Sequence, residues 1–281
     1  MVTLPEHVLS QYRRFSLYNS PYTAHDTGSA IDLYPDADAT TAPSPVAGTV
    51  ALTRTVQAPP KPYAEETDHL IVVDTGDHLV RIMHVDPDVE PGDIVAVGES
   101  LGRPVRAGFF APWVDNHLHV GIRPRDADPV RASGSLPIEP AVDVEALAWD
   151  GRGTVVERGE TYAVLDEPAH PAPGEYYVGM GTLDGQAVLD GGLPHYDCGG
   201  LLNAGTSGET DRDPVELAGG QVGVATGRDV TWDDVTVLAN GEPITGIALF
   251  ADRERFGAKL ICPDATVAVG ESVQVGIEQS T

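Results

Sequence analysis

Short apolar, β-branched runs separated by Gly, Pro and Asp dominate the first half of the chain, at residues 49–56, 70–73, 79–83, 94–97 and 118–122. Their length and spacing predict strands rather than helices. Residues 57–68, rich in Pro and Glu, predict an exposed loop, and a polar stretch at 36–44 precedes the first run. Beyond Pro124 the pattern fades into Pro, Gly, Ser and charge, which suits a linker over residues 125–141. A second series then begins at 154–156, 161–165, 221–224, 235–238, 247–250 and 273–277, with Asn240-Gly241 as a hairpin turn signal. Only residues 6–16 carry a helical pattern, and no tandem repeat is present. The expectation is a mostly β chain of two domains, 1–124 and 142–281, the second resembling a β-sandwich.

Composition changes this picture in one respect. With 43 acidic against 17 basic residues the formal charge is -26, and Lys61 and Lys259 are the only lysines. Such a shell repels itself in dilute buffer and is screened in molar salt, where the Debye length is about 3 Å. It resembles the composition of proteins from halophilic archaea. The same deficit of Lys and Arg argues against nucleic acid and anionic membranes as partners. The first twenty residues have no apolar h-region, and no stretch approaches the roughly 20 apolar residues of a membrane span, so a cytoplasmic location is expected. Cys198 and Cys262 are too few for a disulfide framework and lack zinc-knuckle spacing.

The chemistry gathers at two places. In His117-Leu118-His119 the histidines are two apart on a predicted strand. They therefore share a face, and one imidazole can ligate a metal while the other reaches the metal's water. In the earlier segment His25 to Asp32, an imidazole and a carboxylate bracket a turn at Gly28 that lets both face one point. Zinc accepts both ligand types.

Together these segments resemble the lysostaphin/LytM-type metallopeptidases and their relatives, the D-alanyl-D-alanine peptidases. The run His117-Leu-His-Val-Gly-Ile122 is similar to the family's His-Leu-His motif. The six residues between His25 and Asp32 are closer to the longer motif of the D-alanyl-D-alanine group than to the three of the lysostaphin type. Residues 44–50 (SPVAGTV) and 89–102 (VEPGDIVAVGESLG) are similar to the two half-motifs of a barrel-sandwich hybrid core. The resemblance, which covers roughly residues 20–124, implies such a core for the N-terminal domain. It also implies zinc held by His25, Asp32 and His119, with His117 and His84 as catalytic histidines. The implied reaction is metal-assisted hydrolysis of a peptide amide, on a peptide or a cell-envelope-type polymer.

Other classes remain open, among them a structural protein whose β-sandwich presents a partner site. The fold is compatible with a non-catalytic binding module, although neither lysine stands where a lipoyl carrier needs one. A phosphotransferase-like role through His84 and His117 is another. His69 and His78 read as solvated, and the His195-Tyr-Asp-Cys198 loop lacks a group to activate its thiol.

Overall fold

The computed structural model describes residues 1–203, 212–264 and 267–280. They are nearly all β, as the alternation of apolar runs and turns predicts. The chain divides into two compact units, Met1–Phe15 with Thr27–Val142 and Ser16–Asp26 with Asp143–Thr281.

The strands of the first half are β1 (Val2–Pro5), β2 (Arg14–Ser16), β3 (Ile31–Tyr34), β4 (Gly48–Gln57), β5 (Thr67–Asp74), β6 (His78–Met83), β7 (Val85–Pro87), β8 (Ile94–Val95), β9 (Gly102–Pro104), β10 (Leu118–Pro124) and β11 (Ile138–Ala141). Within the first unit, β3, β10, β6, β5, β4 and β8 follow one another in an antiparallel sheet. Its register aligns Leu118 with Leu33, Val120 with Ile31 and Ile82, Ile122 with Val80, and Ile71 with Ile82. These residues are buried on one face and form the core. Period-two alternation sends their neighbours to the opposite face. There Asp32 pairs with His119, His119 with Met83, and Gly121 with Arg81. One sheet surface thus receives the polar and ligating side chains of three adjacent strands.

The helix expected at residues 6–16 shrinks to α1 (Glu6–Leu9), and residues 14–16 are extended. Tertiary bonds override the local pattern. The Arg13 backbone N–H donates to Tyr34 O, and Tyr12 and Phe15 are fully buried away from any helical stripe. Residues 67 and 68, expected in a loop, are the start of β5. Between Pro124 and Val142, β11 runs parallel to β1, with Val2 opposite Ile138.

The second unit places strand Tyr177–Met180 parallel to Val144–Leu147 and antiparallel to Ala251–Asp252. A larger sheet is built on Cys198–Leu202, Val188–Leu193, Gly246–Leu249, Lys259–Ile261 and Tyr162–Leu165 in that order. Trp149, Leu189, Val222, Ile247 and Leu260 are among the residues of its core. Asn240 and Gly241 take φ of 52° and 85° and turn the hairpin between Val235–Ala239 and Glu242–Ile244, as their sequence signals.

Candidate metal centre

The five histidine and aspartate positions singled out above do assemble. One ligand atom from each of His25, Asp32 and His119 lies within 4.8 Å of the others. Asp32 and His119 meet because β3 and β10 pair in register, which brings Asp32 Oδ1 to 3.0 Å from His119 Nδ1. His117 precedes the same strand, and its Nε2 lies 3.5 Å from Asp32 Oδ2. The carboxylate thus has an imidazole nitrogen beside each oxygen.

Hydrogen bonds to acceptor-only groups set the ring orientations. His25 Nδ1 donates to Leu17 O at 2.6 Å and His117 Nδ1 donates to Asp115 O at 2.9 Å. In neutral imidazoles this leaves Nε2 as the lone-pair atom, the usual arrangement for a metal-ligating histidine held by a carbonyl. Arg13 and Arg14 each donate to Asp115 Oδ2 at 3.1 Å and so hold the loop that carries the His117 acceptor.

His84 follows β6, at a left-handed φ of 72°. Its Nδ1 donates to Asp68 Oδ2 at 2.6 Å, and the other oxygen of this fully buried carboxylate accepts from the His69 backbone N–H at 2.7 Å. The His84 ring centroid is 5.2 Å from that of His117 and 5.9 Å from that of His119. Phe110 packs on both His84 and His117, at 4.6 and 4.4 Å. This aromatic wall removes water from His117. Burial pushes its pKa down to about 4, against the opposing pull of the Asp32 carboxylate. It is therefore neutral near pH 7, with a lone pair facing a carboxylate oxygen.

Two acceptors opposed across 3.5 Å are costly unless a donor or cation lies beside them. The donor set, two imidazoles and a carboxylate, is one that zinc takes at about 2.0 to 2.2 Å. Ligand atoms on one tetrahedral ion stand about 3.3 to 3.6 Å apart. The three groups, within 4.8 Å of one another, reach that spacing with side-chain shifts of about an ångström. The residues present fit the ion.

Residues 3–140 match the model of the N-terminal domain of a domain of unknown function (DUF8155), and residues 145–278 match the model of the C-terminal domain of the same family. The chain belongs to the DUF8155 family. No curated protein matches it. Among solved structures this DUF8155 chain is similar to the catalytic domain of the antimicrobial peptidase lysostaphin from Staphylococcus simulans, at 18% identity and a TM-score of 0.31, over 47% of this chain and 92% of that one. A solution structure of lysostaphin is similar at 14% identity and a TM-score of 0.29, over 87% and 89% of the two chains. Likeness at this level carries nothing about function, for which the geometry of the site stands alone.

Pattern reading missed three residues around the site. Asp68 ends a Pro- and Glu-rich stretch, Asp115 acts through its backbone carbonyl, and Arg81 sits inside an apolar run. No local signal marks any of them, because each acquires its role by pairing across strands or loops. The Cys198 thiol is the reverse case. Burial, with help from its bond to Asp26 Oδ1 at 3.3 Å, raises its pKa to about 12, which removes it as a thiolate nucleophile. Among the described residues no helix is long and apolar enough to cross a membrane.

Proposed function

We propose that the chain is a zinc-dependent hydrolase of the metallopeptidase class, with His25, Asp32 and His119 holding the metal and a peptide amide as substrate. The observation that carries this reading is the approach of those three donor groups to within 4.8 Å of one another. Three protein ligands leave a coordination position open, and zinc held this way supplies Lewis acidity and lowers the pKa of its water to about 7.

The remaining work falls to side chains. His117 presents an unprotonated Nε2 toward Asp32 and is held by Asp115 O, so it is placed to accept a proton during attack on the amide. His84 presents its Nε2 edge to the same space while its Nδ1–H is anchored on Asp68. Oriented by that carboxylate, His84 is placed to donate to the developing oxyanion or to the leaving amine. Phe110 keeps both rings dry and oriented.

Phosphohistidine exchange with another protein finds less support, since His84 and His117 are 5% and 4% exposed, too enclosed for a docking partner. The test is the metal content of protein purified in high salt, with and without His119→Ala. Stoichiometric zinc in the wild type, lost in the variant together with peptide cleavage, is the expected result. Metal-free wild-type protein would overturn the assignment.

A further inference from the structure

The face that bears Asp32 and His119 also bears a buried cation that the proposed chemistry does not use. Arg81 pairs with Gly121 across β6 and β10, one same-face step from the Met83–His119 pair. It is 7% exposed. Its Nε has no hydrogen-bond partner, and its Nη2 reaches only the Met83 sulfur at 3.9 Å, which turns the guanidinium along β6 toward the end that carries His84. Among the described residues no carboxylate lies within ion-pair distance of it, although the chain has 43 acidic side chains to offer. Burial is the main pressure on this charge, and Arg123 on the next same-face pair adds a second positive field, which the Asp128 carboxylate, beyond ion-pair distance, only partly offsets. A buried guanidinium with no carboxylate at ion-pair distance is expensive.

Arg123 has other work. Its Nη atoms donate to Ser133 O and Arg131 O, which holds the segment after β10 against this face. That segment brings the Ser135 hydroxyl to 2.8 Å from where a Cβ on Gly121 would stand, beside Arg81. Gly121 and Ser135 therefore leave Arg81 a small polar neighbour where a larger side chain would cover it.

We propose that Arg81 is the anion-binding residue of the substrate site and takes the C-terminal carboxylate of a short peptide, with Ser135 as a second donor. Same-face neighbours along a strand are about 6.6 to 7 Å apart, and an extended peptide advances about 3.3 to 3.6 Å per residue. A carboxylate on Arg81 then lies one or two residues beyond an amide at the metal centre, which makes the reaction exopeptidase-like. A guanidinium fork suits this ligand, because it meets a carboxylate with two parallel hydrogen bonds. The inference rests on the metal reading only for which bond is cleaved.

The experiment is calorimetric titration of metal-free protein with acetyl-alanyl-alanine and with its C-terminal amide. The free acid is expected to bind about tenfold or more tightly than the amide, the scale of one lost charge-assisted hydrogen bond pair. Arg81→Gln and Arg81→Met are expected to erase that preference while zinc affinity, measured separately, stays unchanged. Equal binding of acid and amide by the wild type, binding of neither, or a preference retained in both variants would overturn the proposal. Because the wild-type comparison needs no variant, poor folding of either substitution leaves the result decisive. Wild-type protein that binds no zinc but prefers the free acid would instead remove the metal reading alone.

Discussion

Replacing Asp68 by asparagine separates charge from shape at the support of His84. The wild-type carboxylate is fully buried and uses both oxygens, one on the His69 N–H at 2.7 Å and one on His84 Nδ1 at 2.6 Å. Asparagine keeps the first bond but presents an NH₂ group to His84. The imidazole must then accept at Nδ1 and carry its proton on Nε2, the opposite tautomer. A hydrogen bond to a charged group contributes about 1.5 to 3 kcal/mol and a neutral one about 0.5 to 1.5, so the substitution costs roughly 1 to 2 kcal/mol. Alanine leaves two buried donors without partners and costs about 3 to 5 kcal/mol. Unfolding followed by circular dichroism reports these differences, and nitrogen-15 NMR of the histidine side chains reports the tautomer. The expected pattern is a graded loss of stability with a switched His84 signal in Asp68→Asn. Peptide cleavage is expected to fall by at least tenfold in the same variant, with zinc content unchanged. An unaltered His84 tautomer together with wild-type stability would refute the role given to Asp68.

Two further outcomes follow from the backbone and from burial. At its φ of 72°, His84 stands where a side chain costs about 1 kcal/mol, so His84→Gly is expected to be more stable than His84→Ala by about that amount. Denaturant titration of the two variants checks it, and equal stability would contradict the left-handed conformation. In the second unit, burial pushes the pKa of His195 down from 6.5 to about 4. The unfolded chain therefore binds a proton that the folded chain refuses between those values, and stability rises with pH across that window. Relative to neutral pH, acidification to pH 4 costs at most about 3 kcal/mol through this group. His195→Asn is expected to flatten that part of the stability profile, and an unchanged slope between pH 4 and 6.5 would show that His195 titrates normally.

Much of the β architecture was legible because period-two alternation and turn residues act locally. Residues 79–83 and 118–122 lie within observed strands, and Asn240-Gly241 forms its hairpin, since such signals depend on a few neighbouring side chains. Residues 6–16 misled because a helical spacing of apolar groups also arises when Tyr12 and Phe15 are buried by distant packing. The site was legible as residue types: two histidines at strand spacing, and a histidine and aspartate around a glycine. Its supporting groups were not. Asp68 and Arg81 look like a loop acid and a strand cation until the registers of β5, β6 and β10 place them on one surface.

The sequence alone determined the strand-rich character of this protein, its acidic surface and the identity of the atoms able to bind a metal, because each is a property of residues and their near neighbours. Only the tertiary structure decided which of those atoms converge, which nitrogen of His25 and His117 meets a backbone carbonyl, and that Arg81 is buried with no carboxylate at ion-pair distance. Those outcomes depend on strand pairing between segments tens of residues apart and on the dielectric that packing creates around them, and neither is encoded at any single position.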